Sequence, residues 1–153
     1  SLTVRNKAGV LARIVGLFSS RGYNIDSLAV GETEDPLQSR ITLVTGGDEL
    51  VTQQITKQLN PLTDVIKVNQ FDEEEYIERD LLLLKVNAPT GKRGEVMQIA
   101  DIFRGKIVDV GPRHLTVELS GPEGKINAMI DLMRPFGIKE MVRSGRIALP
   151  RGG

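Results

Sequence analysis

The sequence predicts an α+β protein made of two ferredoxin-like βαββαβ modules in tandem. In each module two helices lie on one face of a four-stranded antiparallel sheet. Three observations predict this fold. Some segments alternate apolar and polar residues, as strands do, and others repeat apolar residues every three to four positions, as helices do. These segments follow the order βαββαβ twice, and an acidic run at residues 72–75 separates the repeats. The predicted domains are therefore 1–75 and 76–153.

The first module begins with a strand at residues 2–4, followed by a helix that Gly22 ends, since glycine accepts a positive φ. Residues 46–48 break the third strand and are predicted to cap the second helix, which Asn60-Pro61 ends. The other predicted strands are 25–33, 40–45 and 65–68. The apolar face of the first helix is predicted to consist of Val10, Leu11, Ile14, Val15 and Phe18, and that of the second of Val51, Ile55 and Leu59.

The second module repeats this order. Its strands are predicted at residues 76–86, 106–110, 115–119 and 138–142. Ser120 and Glu123 have the spacing of a capping box, which predicts the start of the last helix. The apolar faces of its two helices are predicted to consist of Val96, Ile99, Ala100 and Phe103, and of Ile126, Met129, Ile130 and Met133.

The start of the first helix, at Ala8-Gly9, is the feature most suggestive of function. Gly9 has no side chain to cover the free backbone N–H groups of the first turn, and these groups and the positive end of the helix dipole attract a carboxylate. Asn6 and Asn24 bracket the helix with amides that donate and accept hydrogen bonds. The pattern favours a small zwitterion as ligand. Alternatively, Gly9 allows the helix to pack closely on the sheet, and both asparagines are turn residues.

Composition argues against several other functions. Lys plus Arg and Asp plus Glu both number 20, so no net charge favours nucleic acid or an anionic membrane. The chain has no cysteine and one histidine, His114, which excludes a catalytic triad or a histidine metal pair within one chain. Gly91-Lys92 lacks the preceding glycine and the following Ser or Thr of a phosphate loop. The central strands lack the aromatic residues with which βαββαβ RNA-binding modules stack bases.

Several segments resemble one family. The segment N-K-A-G-V-L-A-R-I-V-G-L-F-S-S-R-G-Y-N-I, residues 6–25, resembles the opening of the regulatory small subunit of acetolactate synthase (acetohydroxyacid synthase), whose amino-terminal module is an ACT domain. The resemblance continues in order along nearly the whole chain. It includes E-T-E-D-P at 32–36, E-R-D-L-L-L-L-K-V at 78–86, F-R-G-K-I-V-D-V at 103–110 and R-S-G-R at 143–146.

The resemblance implies a non-catalytic chain that activates a catalytic large subunit and confers feedback inhibition, chiefly by valine. Thiamine diphosphate, Mg²⁺ and FAD would belong to the large subunit, and this chain would hold no cofactor. It also implies that residues at the start of the first helix hold the amino acid's charged ends and that two of them line the pocket for its side chain. Two further residues would reach the ligand from a neighbouring chain. These residues are Asn6, Lys7, Ala8, Gly9, Val10 and Leu11, with Val10 and Leu11 at the side chain, and Asn24 and Ile25 across the dimer interface.

Two departures from the family pattern bear on ligand binding. Many members carry a small polar residue where this chain has Ala12, so one hydroxyl contact to the ligand is absent. The second module lacks the Asn-Gly-Asn arrangement. We therefore expect it not to bind valine, and to contribute instead to dimer contacts and to coupling with the large subunit.

Small modules leave sheet edges and faces uncovered, which favours a homodimer. The chain begins inside a predicted strand without an initiator Met, so we expect residues before Ser1. The expected compartment is the bacterial cytoplasm, or a plastid if the protein is from a plant. An alternative function is a free-standing ACT-domain sensor that regulates another enzyme or transcription, although no helix-turn-helix or basic surface is evident.

Overall fold

The computed structural model describes residues 1–46, 49–71 and 75–152. The chain folds into two compact units. Unit 1 consists of Ser1–Ile77 together with the last residues from Arg146 onward, and unit 2 consists of Glu78–Gly145. Each unit contains strands and helices in the order βαββαβ, so the predicted fold class is confirmed.

Unit 1 contains one four-stranded sheet and two helices. Its elements are β1 (Leu2–Arg5), α1 (Val10–Ser20), β2 (Ile25–Glu32), β3 (Gln38–Thr45), α2 (Glu49–Leu59) and β4 (Val65–Val68). The sheet order is β2-β3-β1-β4, and neighbouring strands are antiparallel. The predicted cap at residues 46–48 includes Gly47 and Asp48, which lie outside the described residues.

Helix α1 packs on this sheet through Val10, Ile14 and Phe18, each at most 4% exposed, and Leu17 adds a partly buried contact. The prediction for Leu11 was wrong, since its side chain is 37% exposed. The predicted stripe at positions 10, 11, 14, 15 and 18 and the observed one at 10, 14, 17 and 18 both fit a period of 3.6 residues. The sheet therefore decides which of them is buried.

Unit 2 repeats the plan, with a longer first strand of 12 residues. Its elements are β5 (Tyr76–Asn87), α3 (Arg93–Ile102), β6 (Lys106–Val110), β7 (His114–Gly121), α4 (Glu123–Met133), a 3₁₀ turn (Arg134–Phe136) and β8 (Ile138–Arg143). The sheet order is β6-β7-β5-β8. Its core joins alternate residues of β5 and β7 to the inner faces of α3 and α4, and all four predicted core residues of α4 are buried.

A final strand, β9 (Ile147–Pro150), was not predicted. It pairs with β5, whose first two residues belong to unit 1. Hydrogen bonds between this segment and the rest of unit 1 include that from the Arg146 N–H to Ser27 Oγ (3.0 Å) and that from the Arg151 N–H to the Glu75 carbonyl (2.7 Å). The domain division 1–75 and 76–153 stays a prediction, and most of the acidic run, residues 72–74, lies outside the described residues.

The predicted capping box at the start of α4 is wrong. Ser120 lies in β7, paired with Leu81 of β5, and the residue that precedes the helix is Pro122, with no side-chain capping bond. Strand β7 extends to Gly121, so Ser120 is part of the strand that pairs with β5 and does not serve as the helix cap. The ladder hydrogen bonds replace the cap because a backbone group in a buried sheet needs a partner.

Two segments that carry the family resemblance meet at a buried ion pair in unit 2. The Arg143 guanidinium donates to one carboxylate oxygen of Asp80 through Nε (2.9 Å) and Nη2 (2.8 Å), and Ser144 Oγ donates to the other (3.2 Å). Arg143 Nη1 also donates to Asn127 Oδ1 (3.0 Å). The Asp80 side chain is only 2% exposed. A carboxylate so buried depends on these partners for its stability.

Candidate functional site

Gly9 immediately precedes α1 and has a φ of 84°. Residues with a Cβ rarely adopt this left-handed conformation, so glycine is favoured here for its backbone. A Cβ built on Gly9 would meet no atom within 4 Å. The position therefore does not serve a close approach of helix and sheet, which was the alternative explanation for this glycine. The open space in front of Gly9 leaves the start of the helix accessible.

The first turn of α1 has backbone donors that the described residues leave unused. The Val10 N–H makes only a long bond of 3.4 Å to the Lys7 carbonyl, and the Arg13 N–H donates to the Gly9 carbonyl (3.0 Å). For the N–H groups of Leu11 and Ala12, no acceptor is recorded within the described parts of the chain. No side chain caps this helix. These donors, with the helix dipole, suit a carboxylate.

Asn6 lies directly after β1 and belongs to a small polar cluster with the β2–β3 hairpin. Its Nδ2 donates to Glu32 Oε1 (3.3 Å) and to the Pro36 carbonyl (3.0 Å), while its backbone N–H donates to the Leu37 carbonyl (2.8 Å). Its Oδ1 has no recorded donor among the described residues. An amide oxygen next to an exposed carboxylate is a suitable place for an ammonium group.

Glu32 was not among the predicted site residues. It is the last residue of β2, which pairs with β3, and β3 pairs in turn with β1, so the sheet places Glu32 beside Asn6. The only signal in the sequence was that Glu32 opens the segment at 32–36 that resembles the family. Its proximity to Asn6 depends on strand pairing between residues far apart in the chain.

A single chain does not bring Asn24 and Ile25 to the start of α1. Glu32, at the far end of β2, is the residue that contacts Asn6. The eight residues of β2 span roughly 23 Å at about 3.3 Å per residue, which separates Ile25 from Asn6 by a comparable distance. In this chain Asn24 Nδ2 donates instead to Asp26 Oδ1 (2.6 Å). A site that includes both asparagines must therefore combine two chains.

The other predicted contact residues differ in accessibility. Lys7, Ala8 and Gly9 are exposed. The side chain of Val10 is 4% exposed and lies in the core of unit 1, so Val10 presents its backbone to the site. The exposed side chain of Leu11 is available to an apolar ligand group. The contacts of these residues with an amino acid stay a prediction.

The corresponding loop of unit 2, between β5 and α3, is built differently. The Arg93 guanidinium donates to the carbonyls of Ala88 and Gly111, so it ties this loop to the β6–β7 turn. In a phosphate loop the residue at this position is a Ser or Thr whose hydroxyl contacts Mg²⁺. Here the residue is an arginine that is hydrogen-bonded to two backbone carbonyls, which is consistent with the prediction that Gly91-Lys92 is not a phosphate loop.

Two family models match the chain. Residues 1–67 match the ACT domain of the type found in the acetohydroxyacid synthase small subunit, and residues 79–152 match the small subunit of acetolactate synthase. The chain belongs to the acetolactate synthase small-subunit family. The resemblance that the sequence suggested is thereby confirmed, and membership of this family supports a regulatory subunit of acetolactate synthase.

Relatives of the same family match the chain along its length. The acetolactate synthase small subunit of Aquifex aeolicus is 49% identical over 99% of this chain and 79% of its own length. The probable small subunit of Archaeoglobus fulgidus is also 49% identical, over 99% of this chain and 95% of its own. The crystal structure of the Thermotoga maritima small subunit superposes with a TM-score of 0.91 at 37% identity, covering 99% of this chain and 95% of that one.

The residues that the structure describes in this family member show neither a metal-binding cluster nor a membrane-spanning helix. They contain no group of three or more His, Cys, Asp and Glu side chains that could hold a metal ion. None of the helices among them is long and apolar enough to cross a membrane. His114 Nε2 lies 3.3 Å from Asp109 Oδ2 in an exposed pair.

Proposed function

We propose that this chain is the non-catalytic regulatory subunit of acetolactate synthase, which activates the catalytic large subunit and confers feedback inhibition by valine or a related branched-chain amino acid. The observation that carries the proposal is the uncapped start of α1 at Gly9, with unused N–H groups and an accessible approach. Thiamine diphosphate, Mg²⁺ and FAD would act in the large subunit. The expected compartment is the bacterial cytoplasm, or the plastid for a plant protein.

In the proposed site the amino acid is held by both of its charged ends. Its carboxylate accepts hydrogen bonds from the first-turn N–H groups of Leu11 and Ala12. Its ammonium group contacts Asn6 Oδ1 and the Glu32 carboxylate. Its apolar side chain lies against Leu11. Because one methylene changes affinity by only about tenfold to a few hundredfold in an apolar pocket, discrimination among valine, leucine and isoleucine is incomplete.

The remaining contacts come from a second copy of the chain. Asn24 and Ile25 of that copy close over the amino acid, because within one chain they lie roughly 20 Å from Asn6. A ligand changes activity only when it binds one arrangement of the complex more tightly than another. A site whose walls belong to two chains meets that condition, since any shift at the dimer interface moves the walls relative to each other.

Reconstitution with a purified large subunit tests the function as a whole. We expect the chain to copurify with the large subunit, to raise its rate of acetolactate formation, and to make that rate sensitive to valine. The large subunit alone and the chain alone are the controls. A chain that neither binds the large subunit nor alters its rate would instead support the alternative, a free-standing sensor of another target.

Mixed dimers test whether two chains share the site. An Asn6→Ala chain keeps Asn24, and an Asn24→Ala chain keeps Asn6, so a heterodimer of the two has one intact shared site and one site with both changes. Each homodimer should bind valine about ten- to a hundredfold more weakly, as expected for the loss of a hydrogen bond to a charged group. The heterodimer should bind one valine with wild-type affinity in calorimetry. Equal weak binding by all three dimers would place the site within one chain.

A further inference from the structure

An open pocket of about 670 Å³ lies in unit 2, next to the start of α3. Its volume is within the range of about 300–1,000 Å³ typical of small-molecule sites. Its position in the βαββαβ plan, between the first strand and the first helix, is the position of the proposed amino-acid site in unit 1. The side chains around it, however, differ in kind from those at Gly9.

The pocket wall carries an excess of positive charge. Lys92, Arg113 and Lys139 line it together with one carboxylate, Glu95, which leaves a net charge of +2 from three cations and one anion. Across the residues that the structure describes, none of these three cations has an ion pair. Like charges around one pocket repel each other, and a bound anion would remove that repulsion.

The loops that carry the charged residues are tied together by hydrogen bonds. The Asn87 N–H donates to the Gly137 carbonyl (2.8 Å), and the Ala88 N–H donates to the Arg113 carbonyl (2.8 Å). The Arg93 guanidinium adds its bonds to the carbonyls of Ala88 and Gly111. These contacts connect the end of β5 with the β6–β7 turn and with the start of β8. The backbone around the pocket is therefore held in place, which lowers the entropic cost of binding.

We infer that this pocket binds a small organic dianion, either a phosphate ester or a dicarboxylate. Lys92, Arg113 and Lys139 contact its charges, and the net charge of +2 selects a dianion over a zwitterion. Pro135 and Phe136, which also line the pocket, contact its apolar part. This inference is independent of the proposed function, because it concerns unit 2 and a ligand that is not an amino acid.

Titration of the ¹⁵N-labelled full chain with inorganic phosphate, succinate or valine tests it. We expect saturable shifts of the Gly94, Phe136 and Lys139 amides with at least one of the two dianions, and none at those amides with valine. Shifts with phosphate alone would identify phosphate esters as the ligand class, and shifts with succinate alone would identify dicarboxylates. Shifts with both would show that the pocket accepts either class. No saturable shift at millimolar phosphate or succinate, or the same shifts with valine, would overturn the inference.

A pair of double variants separates the pocket from general electrostatics. Lys92→Gln with Lys139→Gln should weaken binding of the dianion about tenfold, since an exposed ion pair contributes up to about fivefold. Lys106→Gln with Lys125→Gln removes the same charge from unit 2 outside the pocket and should leave the affinity unchanged. Equal weakening in both would overturn the assignment to this pocket. Raised salt should weaken binding to the wild-type chain as well.

Discussion

A Gly9→Asp chain is expected to lose about a hundredfold in valine sensitivity while it still folds and still activates the large subunit. The introduced carboxylate would lie about 5 Å from the carboxylate of the bound amino acid. At an effective dielectric constant near 20, their repulsion is about 3 kcal/mol. That free energy corresponds to about a hundredfold in affinity. The measurement is the concentration of valine that halves the rate of the reconstituted enzyme.

Gly9→Asn is the matched control for this variant. Any side chain at Gly9 must adopt its φ of 84°, and Asn and Asp are the residues that tolerate this conformation best. A Cβ there meets nothing within 4 Å, so neither variant creates a clash. Because the two side chains have the same shape, the difference between them isolates the charge. Equal valine sensitivity of the two variants would contradict the proposed position of the ligand carboxylate.

Arg143→Ala is expected to lower the free energy of unfolding of unit 2 by about 3–5 kcal/mol. The change leaves the Asp80 carboxylate buried without the guanidinium that donates two hydrogen bonds to it, and an uncompensated buried charge costs about that much. Ser144 would still donate one hydrogen bond, so the loss is partial. Urea unfolding, followed by hydrogen exchange of the β5 and β7 amides, reports the stability of this unit.

Arg13→Ala provides the comparison within the same chain. Arg13 Nη1 pairs with Asp64 Oδ2 at 2.8 Å, the same distance as Arg143 Nη2 to Asp80 Oδ2. The Arg13 side chain is 63% exposed, however, and surface pairs contribute at most about 1 kcal/mol. We therefore expect a small effect in unit 1. Similar losses from the two arginine changes would show that burial does not determine the strength of these pairs.

Helix positions illustrate how far local pattern predicts packing. Met129, Ile130 and Met133 of α4 were predicted to face the core and are buried. In α1 the same method placed Leu11 in the core and overlooked Leu17, because neighbouring stripes fit the helical period equally well. Ser120 was assigned to a helix cap but lies in a strand. In both errors the sheet, formed by distant segments, decided between two locally acceptable arrangements.

The predicted site likewise contains residues that the local pattern identified and one that it missed. Asn6 and Gly9 are three residues apart in sequence, so local reasoning identified them together, and α1 begins at Val10, directly after the predicted start at Ala8-Gly9. Glu32 was missed because its contact with Asn6 spans 26 residues and depends on the order β2-β3-β1. The role of a second chain at Asn24 is proposed because β2 is too long for one chain to bring both asparagines together.

The amino-acid sequence by itself determined the twofold βαββαβ order, most helix and strand positions, and the family of this chain. Periodicity and turn chemistry involve residues within one or two helical turns of each other, so they can be read along the chain. Only the tertiary structure decided that Asp80 pairs with Arg143, 63 residues away, and that three cations surround one pocket in unit 2. Those contacts depend on strand register and loop closure, which bring together residues that no local pattern connects.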